Sequence, residues 1–253
     1  MSRVIRLVVY GAGDACTQMA IDEAMAIYAG FTGEGLARLY WFDPPSVTLG
    51  YFQRLEEAVD LEEAKRLGVN VVRRLSGGGS VYHDPKGEVT YSIAVPEEWL
   101  RGVDVAESFK LLAGWLVEAL ERLGFNPTFS GLNDILVNGR KVSGSAQARR
   151  YGAVLQHGTV MYDTDLEVLA RVLRVPRGKG RDIRVRVTTL SLTAGRKVTR
   201  DEVVEALLES APGYFSRMLH ARVEIHDSLP RHVYELTEAV RWRYCSREWL
   251  TRR

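Results

Sequence analysis

Apolar positions along the chain switch repeatedly between a period of two and a period near 3.6, and the switches divide it into short strands and amphipathic helices. Val4 to Tyr10 reads as a strand closed by Gly11-Ala12-Gly13, after which Asp14 can cap a helix from Ala15 to about Ala29. Met19, Ala20, Ala24, Ile27 and Tyr28 form the apolar stripe of that helix. Ala37 to Phe42 and Val47 to Tyr51 read as strands joined across Asp43-Pro44-Pro45-Ser46, and Leu61 to Leu67 as a short helix stopped by Gly68. Asn70 to Arg74, Ser80 to His83 and Glu88 to Val95 are β-branched and aromatic runs of strand length. Asp104 to Leu123 is the longest helical pattern, with Phe109, Leu112, Leu116, Ala119 and Leu120 on one face. A strand over Tyr151 to Tyr162 and a helix over Asp165 to Leu173 follow. Thr199 and Glu202 make a capping box opening a helix to Leu219, which Pro212-Gly213 should interrupt. A strand near Arg222 to Ile225 and a helix from Pro230 to about Trp242 complete the pattern.

The hairpin at 134–143 can be specified further. Asn138-Gly139 between two strand-like runs favours a two-residue type I′ turn. That turn pairs Val137 with Arg140, Leu136 with Lys141 and Asp134 with Ser143, so Asp134, Leu136, Lys141 and Ser143 share one face. Ile135, Val137 and Val142 share the other, which should pack on the core.

Composition narrows the class. The 253 residues are 46% hydrophobic and 26% charged, enough for one main core, and no internal repeat or low-complexity linker divides them. A net charge of +2 lacks the strong basic field of a dedicated nucleic-acid binder. Cys16 and Cys245 are too few for a disulfide framework or a cysteine zinc site, and no metal site built by the protein is expected. No apolar run approaches the roughly 20 residues needed to span a bilayer, and the N-terminal apolar run is short for a secretory signal. The expectation is a cytoplasmic protein bound to neither membrane nor nucleic acid.

Candidate chemistry concentrates at residues 70–95. Gly77-Gly78-Gly79 lets a ligand approach the main chain and lets successive N–H groups face an anion, or it only closes a hairpin. No Gly-Lys-Ser/Thr follows as in a P-loop, and the dinucleotide G-x-G-x-x-G is absent. Strand alternation keeps Arg73 and Arg74 from facing one pocket together. The glycine-rich basic stretch 176–182 is either a lid or a solvated connection.

The run RRLSGGGSVYHD, then GLNDILVNGRKVSGSAQ and QHGTVMY, resembles the lipoate-protein ligase A family, and the likeness extends nearly to the tail YCSREWL. The resemblance implies one catalytic domain over 1–253 of α+β class: a mixed, largely antiparallel sheet flanked by helices, as in biotin ligases and class II aminoacyl-tRNA synthetases. It implies that lipoate attacks the α-phosphorus of ATP, with Mg2+ bridging the phosphates, and that a lysine of a carrier domain then attacks the lipoyl-adenylate. By motif position Arg74, Gly77, Gly78, Gly79, Ser80, Val81 and Tyr82 would hold the nucleotide. Lys141 would touch both lipoate carboxylate and phosphate as an electrostatic catalyst; His83 and His157 would be wall residues; Asn133 and Asp134 would support them. The implied carriers are the lipoyl domain of a 2-oxoacid dehydrogenase acyltransferase or a glycine-cleavage H protein. The resemblance is nearest to split ligases, which implies a small accessory subunit and weak activation by this chain alone. Glu248 precedes Trp249 and Leu250 follows it, where the family commonly has asparagine after the tryptophan.

An octanoyl- or lipoyl-transferase of the same fold is the nearest rival, but it works through a cysteine thioester, and the segment before Lys141 where such enzymes carry that cysteine has none. A biotin ligase lacks support because its Gly-Arg-Gly signature is missing. A non-catalytic acyl-binding protein is the third alternative. Either lipoate or octanoate would suit one apolar tunnel.

Overall fold

A mixed sheet lies between two helical layers in the computed structural model, which describes residues 3–174 and 183–252. The basic stretch 176–182 read above as lid or connection lies outside the described residues. The strands, in chain order, are β1 (Arg3–Gly13), β2 (Gly35–Phe42), β3 (Ser46–Leu49), β4 (Asn70–Arg73), β5 (Val81–His83), β6 (Glu88–Pro96), β7 (Pro127–Ser130), β8 (Asp134–Val137), β9 (Arg140–Arg150), β10 (Ala153–Met161) and β11 (Ala221–His226). The helices are α1 (Ala15–Thr32), α2 (Leu55–Ala58), α3 (Leu61–Arg66), α4 (Val105–Arg122), α5 (Leu166–Val172), α6 (Leu190–Ala194), α7 (Arg200–Leu219), α8 (Arg231–Cys245) and α9 (Arg247–Thr251).

Eight strands form one sheet in the order β11-β1-β2-β6-β10-β9-β8-β7, and β4-β3-β5 form a second. In the large sheet β1 runs parallel to β11 and β2, and every other pairing is antiparallel. The fold is therefore the mixed, largely antiparallel α+β class expected from the sequence. Alternation sends Ile5, Leu7, Ala37 and Leu39 toward α4 and α7, with Trp115 and Phe215, while Val8 and Leu36 meet Ile21, Met25 and Val233 of α1 and α8.

The glycine run joins β4 to β5 across β3 within the small sheet, and the turn at 84–87 then carries the chain to β6 at the centre of the large sheet. Three local expectations are corrected. The turn pairs Leu136 with Lys141 and Val137 with Arg140 as expected, but a bulge follows and Asp134 pairs with Gly144. The extra residue turns Ser143 from the expected polar face into full burial and puts Gly144 on the face of Lys141. Helix α7 continues through Pro212, because Ala211, Tyr214 and Phe215 are buried beside it and hold the turn together. Beyond Trp242, α8 runs on to Cys245, and Ser246 caps the further helix α9 through Trp249 N–H.

Candidate active site

Between the glycine run and the β8–β9 hairpin opens a cleft of about 430 Å³ lined by Arg74, Gly78, Gly79, Ser80, Val81, His83, Asn133, Asp134, Lys141 and His157, with Met19, Tyr40 and Ala146 giving it an apolar wall. Arg74 just after β4 and residues from β5, β8, β9 and β10, more than 80 positions apart in sequence, thus meet in one place. Gly77 and Tyr82 do not line it. Tyr82 points the other way along β5 and packs with Val47, Leu49 and Met161, as alternation beside Val81 and His83 requires.

The adjacent arginines divide as strand geometry demands. Arg73 donates to the carbonyls of Gly50, Tyr51 and Gln53 and to those of Trp249 and Leu250, so it ties the 50–53 turn to α9. Trp249 returns a bond from its indole Nε1 to Arg73 O, which fixes the aromatic tail. Arg74 turns into the cleft wall. Its Nη2 donates to Gly77 O at 2.5 Å and Gly79 O at 2.7 Å, and its Nη1 to Thr48 O at 3.0 Å. A trans peptide sets C=O and N–H on opposite sides. Because the carbonyls of Gly77 and Gly79 face Arg74, the N–H groups of Gly78 and Ser80 face away from it. No acceptor for either exists among the described residues. Gly78 makes this bend at φ +86°, and a Cβ on Gly50 would lie 2.0 Å from Gly78 O, so both positions exclude larger residues.

Opposite, Lys141 Nζ pairs with Asp134 Oδ1 at 2.7 Å, with both side chains about 30% exposed. The main chain of Lys141 is held on its other edge, its N–H donating to Arg186 O and its carbonyl accepting from Thr188 N–H, each at 2.9 Å. Asn133 clips the same hairpin by accepting from Ser145 N–H and donating Nδ2 to Ser145 O. Gly144 is the residue that makes room for the ammonium: a Cβ there would stand 2.3 Å from Nζ. Sequence spacing did not reveal Gly144 because a bulge leaves no pattern in hydrophobicity. It also missed Thr48, Gln53 and Arg186, which line the cleft from outside the motifs.

Electrostatically the cleft is cationic. Lys141, Arg74, Arg174 and Arg186 line it, against Asp134 as its only carboxylate among the described residues. Burial lowers the Arg74 guanidinium to about 10, which leaves it charged at neutral pH. His157 is buried with Nδ1 2.6 Å from Asp22 Oδ2 and Nε2 2.5 Å from Ser76 Oγ. Burial lowers its pKa more than Asp22 raises it, so the ring is neutral at pH 7. Burial pushes the Asp22 carboxyl up, but Arg38 and His157 outweigh this and hold it at about 2. Neither cysteine lines the cleft. Cys16 sits in the first turn of α1, where burial and the neighbouring Cys245 push its thiol up to about 12. Among the described residues no cluster of three metal-ligating side chains occurs. No helix among the described residues is long and apolar enough to cross a membrane.

The model of the lipoyl protein ligase A/B catalytic domain matches residues 14–211, a stretch that contains every residue lining this cleft. The chain belongs to that family. Among curated relatives of the lipoyl protein ligase A/B family, octanoyltransferase LipM of Kyrpidia tusciae is 37% identical over 96% of this chain and 97% of its own length. Among solved structures, the bi-partite lipoate protein ligase of Thermoplasma acidophilum superposes with a TM-score of 0.84 at 31% identity, covering 98% of this chain and 96% of that one. A lipoate-protein ligase A bound with ATP superposes at 0.83 and 30% identity, covering 98% of each. This member is thus an enzyme of the lipoate ligase and octanoyltransferase group.

Proposed function

We propose that the chain is a lipoate-protein ligase that activates a lipoyl or octanoyl acid with ATP and passes it to a carrier lysine. The observation that carries this reading is a cationic cleft with outward-facing main-chain donors and no thiol, since both cysteines of the chain lie elsewhere. In the first step a carboxylate oxygen forms a bond to the α-phosphorus and pyrophosphate departs. Two anions must approach, so fixed positive charge is what the step needs. Lys141 and Arg74 supply that charge, and the N–H groups of Gly78 and Ser80 supply donors for phosphate oxygens. Mg2+ enters as part of the nucleotide substrate, because Asp134 is already paired with Lys141. In the second step the carrier amine attacks the acyl carbonyl, AMP leaves, and the amine loses a proton. Met19, Tyr40 and Ala146 provide an apolar wall for the acyl chain.

The carrier is a lipoyl domain, by analogy with the Thermoplasma acidophilum bi-partite ligase and its E2 lipoyl domain. That likeness also supports a second subunit, with this chain alone transferring preformed acyl-adenylate better than it makes it. The curated relatives favour a second reading, octanoyl transfer between carrier proteins without ATP. Pyrophosphate exchange into ATP, dependent on lipoate or octanoate, separates the two. Exchange by the chain, or by the chain with an added subunit, is the expected result. A hydroxylamine-labile octanoyl-enzyme formed from octanoyl carrier protein, with no exchange, would overturn the ligase reading.

A further inference from the structure

Arg74 lines the cleft as a buried cation, yet among the described residues no carboxylate pairs with it directly. Its Nε donates to Ser76 Oγ at 3.0 Å, and its Nη1, bonded to Thr48 O, also lies 3.5 Å from Thr48 Oγ1. Both hydroxyls lead outward to a histidine and then to a buried acid. Ser76 Oγ is 2.5 Å from His157 Nε2, and His157 Nδ1 is 2.6 Å from Asp22 Oδ2. Thr48 Oγ1 is 2.9 Å from His83 Nε2, and His83 Nδ1 is 2.6 Å from Glu88 Oε1. Asp22 and Glu88 are each 1% exposed, and neither lines the cleft.

At His157 the donors and acceptors fit one arrangement. A carboxylate only accepts, so each ring points an Nδ1–H at its acid, and the neutral His157 ring leaves Nε2 as a lone pair. The hydroxyl must then donate to Nε2, and its oxygen is free to accept from Arg74. Ser76, His157 and Asp22 look like a nucleophilic triad, but Ser76 is 1% exposed, does not line the cleft, and has its oxygen engaged by Arg74. An electrophile cannot reach it.

We propose that Asp22 and Glu88 are positioning residues for Arg74, acting through His157–Ser76 and His83–Thr48, so that the guanidinium is fixed without being neutralised and its charge is presented to an anionic ligand. A carboxylate in direct contact would pair the cation and quench that attraction; two acids held one histidine and one hydroxyl away orient it instead. The inference rests on the reading of the cleft as a nucleotide site. Glu88 is the gentler place to perturb, because Asp22 also pairs with Arg38 at 2.8 Å whereas Glu88 Oε2 has no partner among the described residues.

The test measures ATP and octanoate binding to the full chain by calorimetry in the parent, Ser76→Ala and Glu88→Gln, together with 15N imidazole spectra of the parent and Asp22→Asn. Removing the hydroxyl that accepts from a charged group should weaken ATP binding about tenfold in Ser76→Ala, with a smaller loss in Glu88→Gln. Octanoate binding should stay within about twofold, which a general loss of structure would not allow. The parent His157 ring should be protonated on Nδ1 alone, and Asp22→Asn should mix its tautomers. If Asp22→Asn does not fold, Glu88→Gln reads the same effect at His83. Unchanged ATP affinity in Ser76→Ala, or an Nε2-protonated parent ring, overturns the proposal. A parent that binds no ATP overturns the ligase reading instead, and the tautomers then decide the relay.

Discussion

At the scale of single residues, the ammonium of Lys141 owes its place to an absence of side chain three positions later. The bulge after Leu136 aligns Gly144, not Ser143, beneath Lys141, and a Cβ there would meet Nζ at 2.3 Å and Cε at 2.5 Å. Those atoms are the far end of a flexible chain, so Gly144→Ala can be accommodated by moving the ammonium away from Asp134. The expected outcome is a variant whose melting temperature lies within a few degrees of the parent but whose pyrophosphate exchange falls roughly tenfold. Lys141→Ala, which removes the charge outright, should fall by about a hundredfold or more. A Gly144→Ala variant as active as the parent would mean that the ammonium is not needed where it stands. The pairing of Lys141 with Asp134 was legible because an Asn-Gly turn fixes which residues face the same way. The role of Gly144 was not, because a one-residue bulge depends on packing across the sheet.

At the scale of elements, α1 shows where pattern reading runs out. Its start was legible from Asp14, which accepts from Thr17 N–H, and its extent from apolar spacing. Its buried polar face was not: Gln18, Asp22 and Glu23 are all at most 1% exposed, and their partners Arg38, Tyr151 and Tyr244 come from distant parts of the chain. Charged residues are ordinarily assigned to the surface, so only the fold reveals this face. Gly30 gives the helix a second unexpected constraint. A glycine inside a helix is normally improved by alanine by about 1 kcal/mol. Here a Cβ would lie 1.8 Å from the main-chain oxygen of Tyr151, in the turn between β9 and β10, and backbone cannot yield as a side-chain tip does. Gly30→Ala should therefore destabilise the protein by about 3 kcal/mol in urea unfolding, against the usual sign. A stabilised variant would show that this contact is looser than drawn.

At the scale of the whole molecule, buried ionisable groups set the pH range over which the fold is stable. His157 has a folded pKa below its ordinary 6.5, so between the two values the unfolded chain binds more protons, and stability is lost as pH falls below about 6.5. Asp22, held at about 2 against an ordinary 3.8, contributes stability present above 3.8 and lost as pH falls toward 2. On the alkaline side burial raises Cys16, Tyr40, Tyr82, Tyr91 and Tyr244, so the unfolded chain releases protons first and stability declines above about 9. The expected profile is a plateau from about 6.5 to 9 with a two-stage acid limb, read from urea midpoints at closely spaced pH values. The first stage belongs to the residue that faces Ser76 in the cleft wall, so acid should loosen the anion site before it unfolds the chain. Nucleotide binding should accordingly weaken as pH falls below 6.5 while the circular dichroism of the sheet and helices is unchanged. Binding and secondary structure lost together at a single pH would place His157 in the scaffold alone and separate it from the site.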